Sequence, residues 1–388
     1  MYDLTVIGAG PAGCAAALRM LQLEPRARVL VVDSAAFPRD KVCGDAVSAE
    51  AVALLAELGV SQVTGGYRPV ERLRLRSPAG LEALGDLPGA AFVVPRAVFD
   101  ARLVAAVVAR GAELRVHRVR RVEPRTGYVR VDGGAADARV VIGADGANSV
   151  TSRALGAPAR RMAVAIRGYA PTGAAARELL IAVQKQHSPA YAWSFPIGDG
   201  WSNIGFGVFD DRLAGGRRAL VQRLRAALPE QLADPATVRG HRLPLSTGRP
   251  KLPDGRVLLA GDAAGLINPL SGEGIHHALL SGARAGEAAL DGQQAGHRYR
   301  TMMRRQLRWH LAQSAVLARC ATSPNVVDAV IGAARQPDIF ASITELSLGS
   351  GTIKVGTLSA LIGRSAASRA AAVRRVLLNP RLSERTQG

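Results

Sequence analysis

The residues able to do chemistry gather around three glycine-and-acid motifs. Gly8-Ala9-Gly10-Pro11-Ala12-Gly13 is followed, twenty residues after Gly13, by Asp33 and then Ser34. Asp145 precedes Gly146, and Gly261-Asp262 leads through Asn268-Pro269 to Gly272-Glu273-Gly274-Ile275. This set suits an anionic dinucleotide. Gly8 allows a tight turn, Gly10 lets the main chain approach a pyrophosphate, and Gly13 lets helix and strand pack closely. Asp33 stands where a carboxylate meets ribose hydroxyls, and Asp262 can hold a ribityl or ribose hydroxyl. A helix opened by Gly272-Glu273-Gly274 offers free N–H groups to negative charge. The loop Arg39-Asp40-Lys41-Val42-Cys43-Gly44-Asp45 has two readings. Its basic groups approach a pyrophosphate and then a flat ring, or it is a solvated loop with a buried Cys.

The elements that must position these residues follow from the hydrophobic pattern. Leu4–Ile7 and Val29–Val32 read as strands flanking a small-residue helix from Cys14 to Leu23, a strand–turn–helix–strand unit ending at Asp33. Val140–Gly143 and Val257–Ala260 are short apolar runs that extend the parallel sheet. Glu50–Leu58 and Ala97–Arg110 read as helices, the latter opened by Pro95-Arg96, and Glu113–Val122 with Tyr128–Val131 as a hairpin. Strands at Val70–Arg76 and Ala91–Val94 cross to a second sheet. The middle of the chain supplies its antiparallel strands at Arg161–Tyr169, Leu179–Gln186, Tyr191–Phe195 and Asn203–Phe209, followed by a helix at Gly216–Leu228. Alternation puts Tyr191, Trp193 and Phe195 on one face, as the wall of an apolar cavity or as plain core. A helix is expected from Gly272 through Ala288, and beyond it Gly296–Leu317, Val326–Ala334 and Ala366–Leu377 have helical periodicity. The last is arginine-rich and suits either a membrane surface or solvent.

Composition removes several classes of function. At 388 residues with 48% hydrophobic content the chain can bury a large core, and its apolar runs are too short for the roughly 18–20 residues that span a bilayer. Three widely spaced cysteines, Cys14, Cys43 and Cys320, fit a reducing compartment and leave no disulfide framework or cysteine metal site. The first residues read directly as a strand, so a secretory signal is not expected, and the expected location is cytoplasmic. The net charge of +19 is spread over arginines in nearly every segment, with aromatics at only 4%, so no nucleic-acid stripe forms. No metal site is expected, and no G-x-S-x-G elbow surrounds Ser271.

These motifs resemble the FAD-dependent oxidoreductases of the p-hydroxybenzoate hydroxylase superfamily, and within it the geranylgeranyl reductase family. Lys41-Val42-Cys43-Gly44 matches the K-x-C-G motif, Tyr191-Ala192-Trp193-Ser194-Phe195-Pro196 matches Y-x-W-x-F-P, and Leu259 through Ile275 matches the FAD segment. The resemblance spans about residues 1–310. It implies an α/β fold with a Rossmann-like FAD-binding domain (1–66, 96–158 and 250–295), interleaved with an antiparallel-sheet substrate domain (67–95 and 159–249). A helical C-terminal region (296–388) follows.

The implied FAD contacts are Gly8, Ala9, Gly10, Pro11, Ala12 and Gly13 at the pyrophosphate, Asp33 and Ser34 at the adenosine ribose, and Arg39, Cys43, Gly44 and Val119 around the cofactor. They continue with Arg96, from an R-x-x-F-D pattern with Phe99 and Asp100, then Asp145, Gly261, Asp262, Pro269 and Gly272. Gly274 and Ile275 would meet the flavin N1/O2 edge. Tyr191, Trp193 and Phe195 are the implied substrate contacts, and Cys43 and His276 the candidate catalytic groups. Two departures concern the substrate: His276-His277 stand where tyrosines often follow G-E-G-I, and Ile197 where a lysine often follows F-P. His276 is read either as an acid/base group or as a helix residue facing away.

Three readings of activity follow. One is reduction of a C=C bond in an apolar isoprenoid or natural-product substrate through flavin N5. Another is monooxygenation through a C4a-hydroperoxide, and a third is a non-catalytic FAD-binding protein. NAD(P)H or a flavin reductase partner would supply electrons, since no second G-x-G-x-x-G unit appears. Halogenases of this superfamily need a lysine after the first helix-loop region, and residues 42–184 contain none. Peripheral membrane contact stays open as a partner.

Overall fold

The computed structural model describes residues 1–353 apart from 158–160, 174–175, 186–188, 211–214, 232–237 and 249. The arginine-rich segment 366–377 lies outside the described residues.

The chain builds two sheets and alternates between them. The first half runs β1 (Tyr2–Ile7), α1 (Pro11–Leu23), β2 (Val29–Asp33), β3 (Ala46–Val47), α2 (Ala49–Glu57), β4 (Pro69–Arg76), β5 (Glu82–Val93), α3 (Arg96–Ala109), β6 (Glu113–Val116), β7 (Val122–Pro124), β8 (Val129–Val131), β9 (Ala138–Gly143) and α4 (Val150–Ala154). The second half runs β10 (Met162–Pro171), β11 (Glu178–Val183), β12 (Ala190–Gly198), β13 (Trp201–Val208), α5 (Gly216–Ala227), β14 (Arg239–Pro244), β15 (Val257–Leu259), α6 (Ile275–Ala288), α7 (Ala295–Cys320), α8 (Pro324–Ala333) and α9 (Pro337–Leu348).

Strands β6, β2, β1, β9 and β15 pair in parallel, with β8 and β7 added antiparallel at the start of β9. Near-continuous Val, Leu and Ile runs make β2, β9 and β15, as expected for a sheet covered on both faces, whereas β6 at the edge reads Glu-Leu-Arg-Val and is largely exposed. Chain order reverses across β1, whose neighbours are β2 and β9, so a crevice opens at its carboxyl end. The second sheet has the order β14-β10-β13-β12-β11-β4-β5-β3. It takes β4 near the expected Val70–Arg76, but β5 starts at Glu82 rather than Ala91 because it pairs along β4, and the sheet also takes Ala46–Val47, which pair with Phe92 and Val93.

Helices α1 and α6 cross on the first sheet with almost no side chain between them. A Cβ on Gly282 would stand 2.0 Å from the Ala12 carbonyl oxygen, and one on Gly286 2.2 Å from that of Ala16. Only glycine permits this approach. It fixes the N-terminus of α1 beside the N-terminus of α6, joining the first and last glycine motifs.

Some expected elements change. Glu113–Val122 is not one arm of a hairpin: β6 ends at Val116 after pairing in parallel with β2, and only Val122–Pro124 pairs with β8. The break at 117–121 is held by Asp132, whose carboxylate accepts the N–H groups of Arg120 and Arg121 at 3.0 and 2.8 Å. Helix α6 starts at Ile275 rather than Gly272, because Gly272 takes φ +76° in a turn that donates its N–H to Asn268 O. The C-terminal helices also reach back. Phe340 of α9 packs where a Cβ of Gly85 in β5 would be, and Leu348 lines a cavity between the two sheets.

Candidate active site

The crevice at the end of β1 is lined by Gly8, Gly10, Asp33, Ser34, Arg39, Val119 and Asp145. Its shape follows from main-chain needs. Gly8 has φ +103°, and a Cβ there would sit 2.3 Å from Ala144 O. A Cβ on Gly13 would sit 1.8 Å from Gly8 O, whereas Gly10 meets only Arg39 at 3.8 Å and stays open to the crevice. Asp33 accepts the N–H of Ala9 at 2.8 Å and of Ala35 at 3.0 Å, so the acid expected at a ribose also ties the turn to β2. Asp145 accepts the Thr151 N–H at 3.1 Å and caps α4 while lining the crevice.

The second cavity, of about 160 Å³, adjoins this crevice: Lys41 and His241 line both. Its lining includes the cofactor candidates Pro11, Cys43, Gly44, Arg96, Asp262, Gly272, Gly274 and Ile275, and against Gly44 and Gly272 stand the aromatic rings Trp193, Phe195 and Tyr191, with Ile181, Phe209, Leu243 and Leu348. Strand alternation on β12 does bring the three aromatic rings to one face, where Trp193 and Tyr191 meet edge to face at 6.0 Å between centroids.

Charge is arranged tightly around this lining. Arg96 and Asp100, one turn apart on α3 and 3% and 0% exposed, form a bidentate pair at 2.7 Å, and Arg39 adds a third contact to Asp100 at 2.9 Å. Lys41 pairs with Asp262 at 3.0 Å. Burial pushes the Asp262 carboxyl up, but Lys41 outweighs it and holds the group below its ordinary value. Burial pushes the Cys43 thiol up, which keeps it protonated at neutral pH. Pro269 and Gly261 shape the turn before α6, with Gly261 N–H donating to Ser281 Oγ at 2.9 Å.

The loop 40–45 is pinned to the second sheet. Arg167 of β10, 1% exposed, donates to Asp40 at 2.6 Å and to Lys41 O at 3.1 Å. Asn203 of β13 donates to Cys43 O at 2.8 Å and Asp45 Oδ2 at 2.7 Å, while accepting the Trp193 indole N–H at 2.8 Å. Tyr169 donates to the same Asp45 oxygen at 2.6 Å.

His276 goes elsewhere. It is absent from the cavity wall and lies 3.3 Å from Glu50, facing α2 and away from the aromatic rings. The reading of His276 as a catalytic acid/base group is therefore corrected: the helix phase set at Ile275 turns residue 276 outward and Ala278 inward. His277 and His310 meet edge to face beside it, with 5.0 Å between centroids, and burial depresses both. Two acids went unassigned at the sequence level. Glu273, inside G-E-G, lines the cavity, accepts the His276 N–H at 2.6 Å and is pushed by burial up to about 7. Its carboxylate thus shares the N-terminus of α6 that Gly274 and Ile275 were expected to offer a cofactor. Asp45, next to Gly44, is pushed by burial up to about 6. The signal available for both was an acid inside a glycine motif.

Among the described residues no three metal-binding side chains cluster, and no helix is long and apolar enough to cross a membrane. The glycine turn open at Gly10, the acid at the end of β2 and the adjoining cavity with its aromatic side chains fit FAD. Together, fold and site define a flavin-dependent oxidoreductase. The chain belongs to the FAD binding domain family, whose model matches residues 1–279. It is 34% identical over 318 residues to a menaquinone reductase of Mycobacterium tuberculosis, covering 74% of this chain and 76% of that one. It is 30% identical to digeranylgeranylglycerophospholipid reductase 1 of Methanopyrus kandleri, covering 75% and 80%. In fold it is similar to a geranylgeranyl bacteriochlorophyll reductase-like protein of Thermoplasma acidophilum, with TM-score 0.77, 19% identity and 97% and 98% of the two chains covered.

Proposed function

We propose that the protein reduces a C=C bond of an apolar isoprenoid or related natural-product substrate, with FAD resident and NAD(P)H or a separate flavin reductase as electron source. One observation carries the reading: a single cavity is lined both by the cofactor candidates and by Tyr191, Trp193 and Phe195. The reductases named above support the substrate class.

FAD, when bound, supplies two-electron transfer. The chain does the rest. Gly8, Gly10 and the α1 N-terminus meet the pyrophosphate, Asp33 the adenosine ribose, and Asp262, kept ionised by Lys41, the ribityl side. Arg96 lines the cavity with its guanidinium held by Asp100, which it shares with Arg39. The aromatic wall orients an apolar chain and excludes water.

The test is anaerobic. The reduced yellow protein is mixed with isoprenoid alkenes and menaquinone, and flavin absorbance and product mass are followed. Recovery of oxidised flavin with product heavier by two hydrogens supports the reading. Oxygen-dependent turnover that incorporates labelled oxygen into product would instead establish an oxygenase, and bound FAD that turns over with none of these substrates a non-catalytic FAD-binding protein.

We also propose that α7 rests on an anionic membrane surface. From Ala295 to Cys320 it has no Asp or Glu, and Arg298 and Arg300 are paired with Glu287, Asp291 and Asp254. Arg304, Arg305 and Arg308 are exposed with no ion pair among the described residues, beside Trp309 at 47% exposure. That pattern suits a lipid headgroup layer. Cytoplasmic residence is supported by three free cysteines. Flotation with phosphatidylglycerol vesicles, lost on reversing the three arginines to glutamate, checks the surface; unchanged flotation sinks it.

A further inference from the structure

We propose that Asp45 is the proton donor of the reaction, a catalytic carboxylic acid stored in the wall between the loop after β2 and the second sheet. The inference rests on the reductase reading above.

The geometry is specific to one oxygen. Asp45 is 0% exposed, lines the cavity, and takes φ +62°, a left-handed conformation that turns the chain after Gly44. Oδ2 accepts from both Tyr169 and Asn203, at 2.6 and 2.7 Å. Oδ1 is buried and has no hydrogen-bond partner. A buried polar atom without a partner is costly in a carboxylate and far less so in a carboxylic acid whose O–H meets a bound substrate. The network orients the acid: Trp193 of the aromatic wall fixes Asn203, and Asn203 fixes Asp45. Occupancy of the cavity and aim of the acid are thereby linked.

The groups facing Asp45 are Tyr169 and Arg167 of β10, Arg96 of α3 and Cys43 on its own loop. Burial raises the acid, while Tyr169, Arg167, Asn203 and Arg96 hold it down, leaving it near 6. An apolar substrate that displaces water moves it higher. Cys43 and Glu273 also line the cavity, Glu273 with Oε1 accepting the His276 N–H.

The step balances. Bound FAD would supply one hydrogen and two electrons to one alkene carbon, those electrons making the first C–H bond while the π pair passes to the neighbouring carbon. That pair takes the proton as the Asp45 O–H bond breaks, giving the second C–H bond and a carboxylate. After product leaves, the carboxylate regains its proton from solvent by way of the half-buried Tyr169 hydroxyl, which donates to Oδ2 at 2.6 Å.

The test uses two readouts. Infrared difference titration of the protein is expected to show a protonated carboxyl band that titrates near pH 6 and is lost in Asp45→Asn. Its absence overturns the proposal whatever the alkene assay gives. In single-turnover mixing, Asp45→Asn is expected to slow flavin oxidation by alkene about 100-fold, with the electron-donor half-reaction within twofold of wild type. An alkene rate equal to wild type overturns the role of Asp45 alone, whereas a wild-type protein that reacts with no alkene overturns the reductase reading and this role together. Tyr169→Phe guards against a folding defect in Asp45→Asn. It removes a bond that lowers the Asp45 value, so the fall in alkene rate with rising pH is expected to move to higher pH. An unmoved profile overturns the proposal.

Discussion

Replacing Gly282 by Ala perturbs the contact that holds the two halves of the cofactor site together. The added methyl would lie 2.0 Å from the carbonyl oxygen of Ala12, and real contacts stay beyond 3.0 Å. Both partners are helix backbone, so no side chain can turn aside, and α1 and α6 must part by about 1 Å. Their facing residues are Ala12, Ala16, Ala278 and Ala285, all buried, which leaves nothing to refill the opened seam. Overpacking of this kind costs about 1–3 kcal/mol, and a seam of fixed backbone belongs at the upper end. The N-termini of both helices face the cofactor crevice and cavity. If about 1.4 kcal/mol of that cost falls on the bound form, FAD affinity drops tenfold. The assay is titration of deflavinated protein with FAD by fluorescence, with melting curves at saturating FAD. Gly332→Ala is the control, since Gly332 of α8 has only Leu81 at 3.9 Å and gains helix propensity of about 1 kcal/mol. Gly282→Ala with wild-type melting and FAD affinity would refute the claim that this seam sets the site.

Three further outcomes are expected. Trp193→Ala removes an indole seated over Gly205 and frees Asn203 Oδ1, which should cost about 3–5 kcal/mol in denaturant unfolding; Trp193→Phe should cost about 1 kcal/mol. Lys41→Met inverts a pH dependence. In wild type the Asp262 value is depressed, so its contribution is present at neutral pH and lost as pH falls through the folded value. Without Lys41, burial raises Asp262 and its contribution is lost as pH rises, so the gap in melting temperature between the two proteins should narrow from pH 7 to pH 4. His276, His277 and His310 are all depressed by burial. Their contribution is present above the ordinary value of about 6.5 and lost on acidification; melting temperature should fall from pH 7 to pH 5, less steeply in His277→Asn.

Local rules were enough for much of this protein. Glycine spacing dictates the turn between β1 and α1, runs of Val and Ile dictate buried parallel strands, and period-two alternation puts Tyr191, Trp193 and Phe195 on one side of β12. Each depends on residues only a few positions apart, and together with the motif match they led to the FAD family. Tertiary structure decided what depends on distant partners. The phase of α6 turns His276 toward Glu50, more than two hundred residues away in sequence. The Asp132 carboxylate breaks an apparent hairpin by capping two arginine amides. The nearness of α1 and α6 required Gly282 and Gly286 to face Ala12 and Ala16 across the whole chain. Asp45 reads as one more acid in a loop until Tyr169 and Asn203 close on one of its oxygens and leave the other bare. Burial and hydrogen-bond partners set its proton affinity, and both are properties of the folded chain.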